Sequence, residues 1–275
     1  MWQPWEERGD ATSGNFYLTT DVTLEATITF TASEKLNICL NGYTITGASG
    51  VRVFEKTKGS TQAILSICDC SEKQSGKVVS MGKEVAGMLR SATLNLYGGT
   101  LTLDKSVTAN GDSRIVRLGN SSYVGVFNMY GGKLTGGKTT STGAGVSVGT
   151  SGSKFYMYGG EISGNQSTNN NGGGVYVVAG GIFQVSGDAV ITGNYGKGNI
   201  DSNVYLLTGA SMTVKNLGEN ASIGLMGTEG VVGTADKDPA GKIFSDDPQF
   251  EIAWVEENKE LRLQAKVVNP DEEGA

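Results

Sequence analysis

The feature that most constrains this chain is that it repeats itself. Aligned at one strand, LNLYGGTLTL from Leu94, FNMYGGKLTG from Phe127, FYMYGGEISG from Phe155 and FQVSGDAVITG from Phe183 begin 33, 28 and 28 residues apart. A second series, GMLR at Gly87, IVRL at Ile115, GVSV at Gly145 and GVYV at Gly174, keeps the same period, with Met88, Val116, Val146 and Val175 spaced by 28, 30 and 29. The stretch Gly172 to Asn194, GGGVYVVAGGIFQVSGDAVITGN, is one whole unit. A unit of this size cannot bury its own apolar face and must lean on its copies, the condition that produces solenoids. Strands of about four to six residues, ended by Gly, Asn, Ser or Thr and never by a helical period, make this one a parallel β-helix. Roughly seven coils are expected, about 30 to 35 Å long at about 4.8 Å per coil.

Strand alternation assigns the inward residues as Leu94, Leu96, Leu101; Phe127, Met129, Leu134; Phe155, Met157, Ile162; and Phe183, Val185, Ile191. Asn95, Asn128, Tyr156 and Gln184 then point outward. The pairs Gly98–Gly99, Gly131–Gly132 and Gly159–Gly160 fit corners that need a positive φ or space for the next coil. The 42 glycines are about double the average usage of roughly 7%. They fall at fixed places in the repeat, so they are read as corners and not as low-complexity sequence. The four prolines, Pro4, Pro239, Pro248 and Pro270, lie outside the repeating region, as a hydrogen-bonded ladder requires.

The expected organisation is an extension over 1–14, a β-helix over 15–214, a C-terminal cap over 215–265 and a tail or linker over 266–275. Within the cap, Phe250 to Val255 and Glu260 to Gln264 read as a β-hairpin turning at Glu257 to Lys259, placed to cover the open edge of the last coil. A net charge of −6 without basic clusters argues against nucleic acid and anionic membrane surfaces as partners. No apolar run reaches the roughly 18 residues of a transmembrane helix. MWQPWEERGDA at the start lacks the apolar core of a secretory signal, so an extracellular protein of this sequence would have its leader upstream.

LNICLNGYTITG, LSICDCS, GGGVYVVAGGIFQVSG, NVYL and ASIGL together resemble the right-handed parallel β-helix domains of large, adhesin-like surface proteins of Gram-positive gut bacteria. The resemblance spans roughly Asn15 to Leu263. It implies an extracellular or cell-wall-associated setting, further domains in the same parent protein, and attachment to polysaccharides or host glycans. The chain departs from that pattern at Tyr97, Tyr130 and Tyr158, where Ser or Asn is usual.

Those three tyrosines, with Tyr156 beside Tyr158 and Tyr176 on the other series, are the candidate ligand-binding residues. An aromatic body with a polar tip can lie against a sugar and hydrogen-bond its hydroxyls. The structural alternative is an aromatic ladder that only joins neighbouring coils. Polysaccharide enzymes with this fold work through flank carboxylates, and Glu84 and Asp112, 28 apart, are the alternative catalytic or calcium-holding pair, with Thr142 and Asn171 continuing their column. Arg114 and Arg117 resemble the basic residues of pectate lyases, without the acidic calcium cluster such enzymes place nearby, and Arg52, Arg90 and Arg117 lie in or beside the same series. Lys133 over Glu161 reads as an exposed ion pair.

Zero histidines exclude a Ser-His-Asp triad, a His base and His-ligated zinc. Cys39, Cys68 and Cys70 are too few and too crowded for a disulfide framework. Cys39 and Cys68, one coil apart, are expected as lateral neighbours, a stacked pair of small side chains in preference to a zinc site. GKLTGGKT, from Gly132 to Thr139, matches a phosphate-loop pattern but is followed by another coil instead of the helix that chemistry needs. No cofactor or metal is expected, and the reading is a non-catalytic binding module, with a lyase or glycosidase and a plain structural spacer as alternatives.

Overall fold

The computed structural model of the chain describes residues 1–169 and 172–267. It is an all-β parallel solenoid of about seven turns. Two short 3-10 turns, Trp5–Glu7 and Lys197–Asn199, are its helical segments among the described residues.

Each central coil has three strand positions where the sequence repeat showed two. The first face stacks Ile28–Phe30, Phe54–Lys56, Ala86–Met88, Val116–Leu118, Val146–Val148, Val175–Val177 and Val204–Leu206 in parallel. The second stacks Gly14–Tyr17, Lys35–Cys39, Ala63–Cys68, Ala92–Leu96 and Gly125–Met129, continuing into the first halves of Lys154–Ile162 and Ile182–Ile191 and on to Ser211–Leu217. The third stacks Thr44–Thr46, Lys77–Ser80, Thr100–Leu103 and Lys133–Thr135, and then the second halves of the same two long strands. LNLYGGTLTL is therefore two strands on either side of the expected corner at Gly98–Gly99.

The Gly pairs have separate duties. Gly99, Gly132 and Gly160 hold φ of +82°, +82° and +87°, where an L side chain is strained. Their partner Gly131 has normal φ, but a Cβ there would stand 2.7 Å from the Tyr97 carbonyl oxygen of the coil beneath.

Second-face register follows the repeat: Leu36, Leu65, Leu94, Phe127, Phe155, Phe183 and Met212 are level in successive coils. All twelve residues assigned inward between Leu94 and Ile191 are at most 1% exposed. Phe127, Phe155 and Phe183 stack face to face at 5.0 and 5.2 Å. Each buried ring of this size adds about 1.5–3 kcal/mol over an exposed one, before the gain from ring packing.

First-face register follows the sequence alignment from Val116 to Val146 and Val175 and is shifted only at Met88. Val116 is level with Ala86, not with Met88, which pairs Leu118 instead. The coil between them is 30 residues long, and the two extra residues move everything just upstream out of the expected column.

Parallel pairing extends on both sides of the expected 15–214 span, from Gln3–Pro4 on Phe16–Tyr17 to Ile243–Ser245 on Ser222–Met226. Phe250–Val255 and Glu260–Ala265 form the expected antiparallel hairpin, and Glu260–Ala265 also pairs antiparallel with Gly230–Ala235. The tail from residue 268, with Pro270, lies outside the described residues.

Candidate functional site

Tyr97, Tyr130 and Tyr158 each sit one residue past the inward Leu96, Met129 and Met157, just before the Gly corner, and so project outward from three successive coils. Their rings stack at 4.7 Å and 4.9 Å, within 4° and 11° of parallel. They are 52%, 44% and 38% exposed, and among the described residues none of the three hydroxyls has a protein hydrogen-bond partner. Tyr156, half-buried on the same strand, has its ring 6.4 Å from that of Tyr158. Burial, then the neighbouring Tyr130 and Tyr156, raise the Tyr158 phenol above its usual pKa, so it stays a neutral donor at physiological pH.

Stacking decides what this column can offer. The inner ring faces are spent on one another. Ring edges and a row of hydroxyls remain for solvent, about one β-strand spacing apart. The arrangement can contact an extended polar chain laid along the solenoid axis by several hydroxyls at once.

Tyr176 does not belong to this surface. It is 9% exposed, its ring faces Tyr205 of the next coil at 6.0 Å, and burial followed by Tyr205 raises its pKa. It is a largely buried rung of the first face.

Glu84 and Asp112 do not stack on one another. By the Ala86–Val116 register Glu84 is level with Arg114, and Asp112 stands two residues earlier. Their association runs through arginines. Glu84 accepts from Arg52 Nε at 2.9 Å and Arg114 Nη1 at 3.4 Å, while Arg117 Nη1 lies 3.9 Å away. Arg114 and Arg117 also reach Asp112, at 3.8 and 3.7 Å. Burial pulls the Arg52 pKa down, but Glu84 and Glu55 outweigh it and leave it raised; for Arg114 burial prevails and the pKa is lowered. Glu84 is wholly buried, so its carboxylate meets arginines and not solvent. Asp112 is 37% exposed. Thr142 joins the group through its carbonyl, which accepts from Arg114 Nε at 2.9 Å, and Asn171 lies outside the described residues. Arg90 stands apart, its guanidinium 3.5 Å over the Tyr123 ring.

Cys39 and Cys68 are lateral neighbours in register, but the stacked-pair expectation is incomplete. Cys39 is bridged to Cys70, and Cys68 keeps a free thiol whose pKa is raised by burial and by Asp69. Asp69 turns the chain sharply enough to swing Cys70 back over Cys39.

Lys138–Thr139 is a short strand paired with Gln166–Ser167, and the Thr139 hydroxyl, buried, donates to the Asn110 carbonyl. No helix begins there to present amides to a phosphate. Lys133 and Glu161 form the expected ion pair at 2.8 Å, both about 41% exposed.

One constellation was missed in the sequence, although Asn165 and Asn194 recur one coil length, 29 residues, apart. Asn165, Asn194 and Asn203 form a buried ladder in which each side-chain amide donates to the next side-chain oxygen, at 2.9 and 3.0 Å. Asp246 receives the last one: its carboxylate accepts the Asn203 side chain and backbone amide at 2.6 Å each. Burial, against the two Asn203 hydrogen bonds, pushes the Asp246 pKa up to about 6. A cavity of about 550 Å³ opens near Trp5, Arg8 and residues 22–29, and neither Tyr97, Tyr130, Tyr158 nor Glu84 lines it.

No protein-family model, no curated protein and no solved structure matches the chain.

Proposed function

We propose that the chain is a non-catalytic extracellular surface module that attaches to glycans, with Tyr97, Tyr130 and Tyr158 as its contact strip. The observation that carries this reading is a column of three half-exposed phenols whose hydroxyls have no protein partner among the described residues and which stack at regular spacing along the solenoid axis. Polysaccharides present hydroxyls at regular intervals, and a row of fixed donor–acceptor groups on a rigid sheet meets them with little ordering cost. Tyr156 flanks the strip. The extracellular, wall-associated setting rests on the resemblance in sequence pattern alone.

The lyase or glycosidase reading requires a carboxylate that reaches substrate, and the burial of Glu84 under arginines speaks against it. The spacer reading draws support from the same stacking, because rings that face one another join coils whether or not a ligand comes.

Affinity electrophoresis through gels cast with soluble polysaccharides separates these. The wild type is expected to be retarded by at least one polysaccharide, and Tyr130→Ala with Tyr158→Ala to weaken that binding by roughly tenfold, equivalent to about 1.4 kcal/mol. Equal retardation of the double variant would remove the tyrosines from the account. Absence of retardation in every gel would favour the spacer.

A further inference from the structure

The three cysteines gather at one place for reasons that do not depend on the bridge between two of them. Parallel register sets Cys39 beside Cys68 on adjacent second-face strands. Cys70 is returned to them by the turn at Asp69, whose carboxylate accepts the backbone amides of Gly42 at 2.9 Å, Ser71 at 3.0 Å and Gly76 at 2.5 Å. That single side chain ties the turn to the loop of the preceding coil. All three sulfurs lie within 4.8 Å of one another, and Cys68 Sγ is 3.9 Å from Cys70 Sγ. Thiolates bonded at about 2.3 Å to a common d10 cation stand roughly 3.8 Å apart. Cys39 is buried, Cys68 half-buried and Cys70 exposed, so the cluster opens to solution on one side.

We propose that Cys39, Cys68 and Cys70 form a redox-gated site for a thiophilic divalent d10 cation, Zn²⁺ or Cd²⁺. With Cys39 and Cys70 bridged, two of the three ligands are withheld. An external dithiol opens the site by passing two electrons and two protons to the bridge and closing to its own disulfide. The cation then displaces the protons of the three thiols, and solvent at the Cys70 side supplies the fourth ligand. Asp69 is not a ligand, because both of its oxygens are committed to backbone amides. Its role is to hold Cys68 and Cys70 in place and to add negative charge beside the cation. The all-sulfur set excludes magnesium and calcium, which take oxygen ligands.

The probe is Cd²⁺, titrated into the full chain after reduction with a phosphine and anaerobic desalting. Circular dichroism checks that the reduced fold persists. The reduced protein is expected to give thiolate-to-cadmium charge-transfer absorbance that saturates at one ion per chain, counted by native mass spectrometry. The bridged protein is expected to give none. Cys68→Ser, a nearly isosteric change, is expected to weaken binding by more than the roughly 10–100-fold typical for losing an outer-sphere partner. Loss of the fold on reduction, failure to saturate at one ion, equal binding by the bridged protein, or equal binding by Cys68→Ser would each overturn the proposal.

Discussion

The backbone amide and the side-chain amide of Asn203 both end on the carboxylate of Asp246, at 2.6 Å each. An amide ladder that begins at Asn165 is thus closed by the one member that can change charge. The carboxyl is pushed up to about 6 from an ordinary 3.8, mainly by burial. Between those two values the native state holds a proton that the unfolded chain has lost, so stability falls as pH rises through the interval.

Asp246→Asn removes that dependence. Within the ladder a single amide oxygen already accepts both donors of its neighbour: Asn194 Oδ1 takes the Asn165 backbone and side-chain amides at 3.2 and 2.9 Å. An asparagine at 246 can repeat this arrangement. The variant should match the wild type near pH 4 and exceed it by roughly 1–3 kcal/mol at pH 7, a shift of about 2 pKa units moderated by partial solvation. Urea unfolding of both proteins from pH 4 to pH 8 checks the difference; a difference that stays constant across the range would contradict it.

Glu84→Gln deprives two arginines of a partner. Arg52 and Arg114 have side chains only 16% and 7% exposed and share this carboxylate. Removing one member of a buried charge group typically costs about 3–5 kcal/mol, and the loss here should fall at the low end of that range, because Arg52 keeps Glu55 at 3.1 Å and Arg114 keeps Asp112 at 3.8 Å. Asp112→Asn, on the half-exposed rim, should cost under about 1 kcal/mol. Chemical denaturation of the two variants side by side measures the contrast.

Gly132→Ala meets two obstacles together. Its φ is +82°, and a Cβ would stand 2.6 Å from the Gly99 carbonyl oxygen in the coil beneath. The left-handed conformation alone costs an L residue about 1–2 kcal/mol, so the expected loss exceeds 2 kcal/mol once the collision is added. A melting temperature within a degree of the wild type would contradict the crowded corner.

Phe155→Ala and Tyr130→Ala delete rings from parallel ladders with opposite surroundings. Phe155 is wholly buried between Phe127 and Phe183, and its loss should cost about 3–5 kcal/mol. Tyr130 is 44% exposed between Tyr97 and Tyr158, and its loss should cost about 0.5–1.5 kcal/mol of ring stacking. Comparable losses at the two sites would show that the outer ladder bears more of the fold than its exposure implies.

The solenoid was legible because identical side chains recur at the coil length: phenylalanines at 127, 155 and 183 had to stack for any of them to be buried. The tyrosine column was legible for the same reason. The corner at Gly98–Gly99 was legible, but the short strand Thr100–Leu103 beyond it did not stand out as a separate face, because the apolar alternation runs on to either side of the turn. The Glu84–Asp112 column failed on two extra residues, since a first-face coil of 30 looks much like one of 28 until the hydrogen bonds fix its register. Tyr176 sits at an outward position, but Tyr205 of the next coil lies against it, and alternation cannot report such cover. Asn203 and Asp246 are 43 residues apart, across the irregular end of the repeat, where no period connects them. The Cys39–Cys70 bridge depends on the turn made by Asp69, which spacing between strands does not encode.

The proposed function requires that Tyr97, Tyr130 and Tyr158 meet a ligand while the first-face pair Tyr176 and Tyr205 does not. Proton–carbon correlation spectra of protein labelled at the tyrosine rings resolve this residue by residue during titration with the polysaccharide that best retards the protein. The account predicts that Tyr97, Tyr130 and Tyr158 shift together and saturate at one concentration, with Tyr176 and Tyr205 unmoved. Saturating binding that leaves those three resonances in place would contradict it.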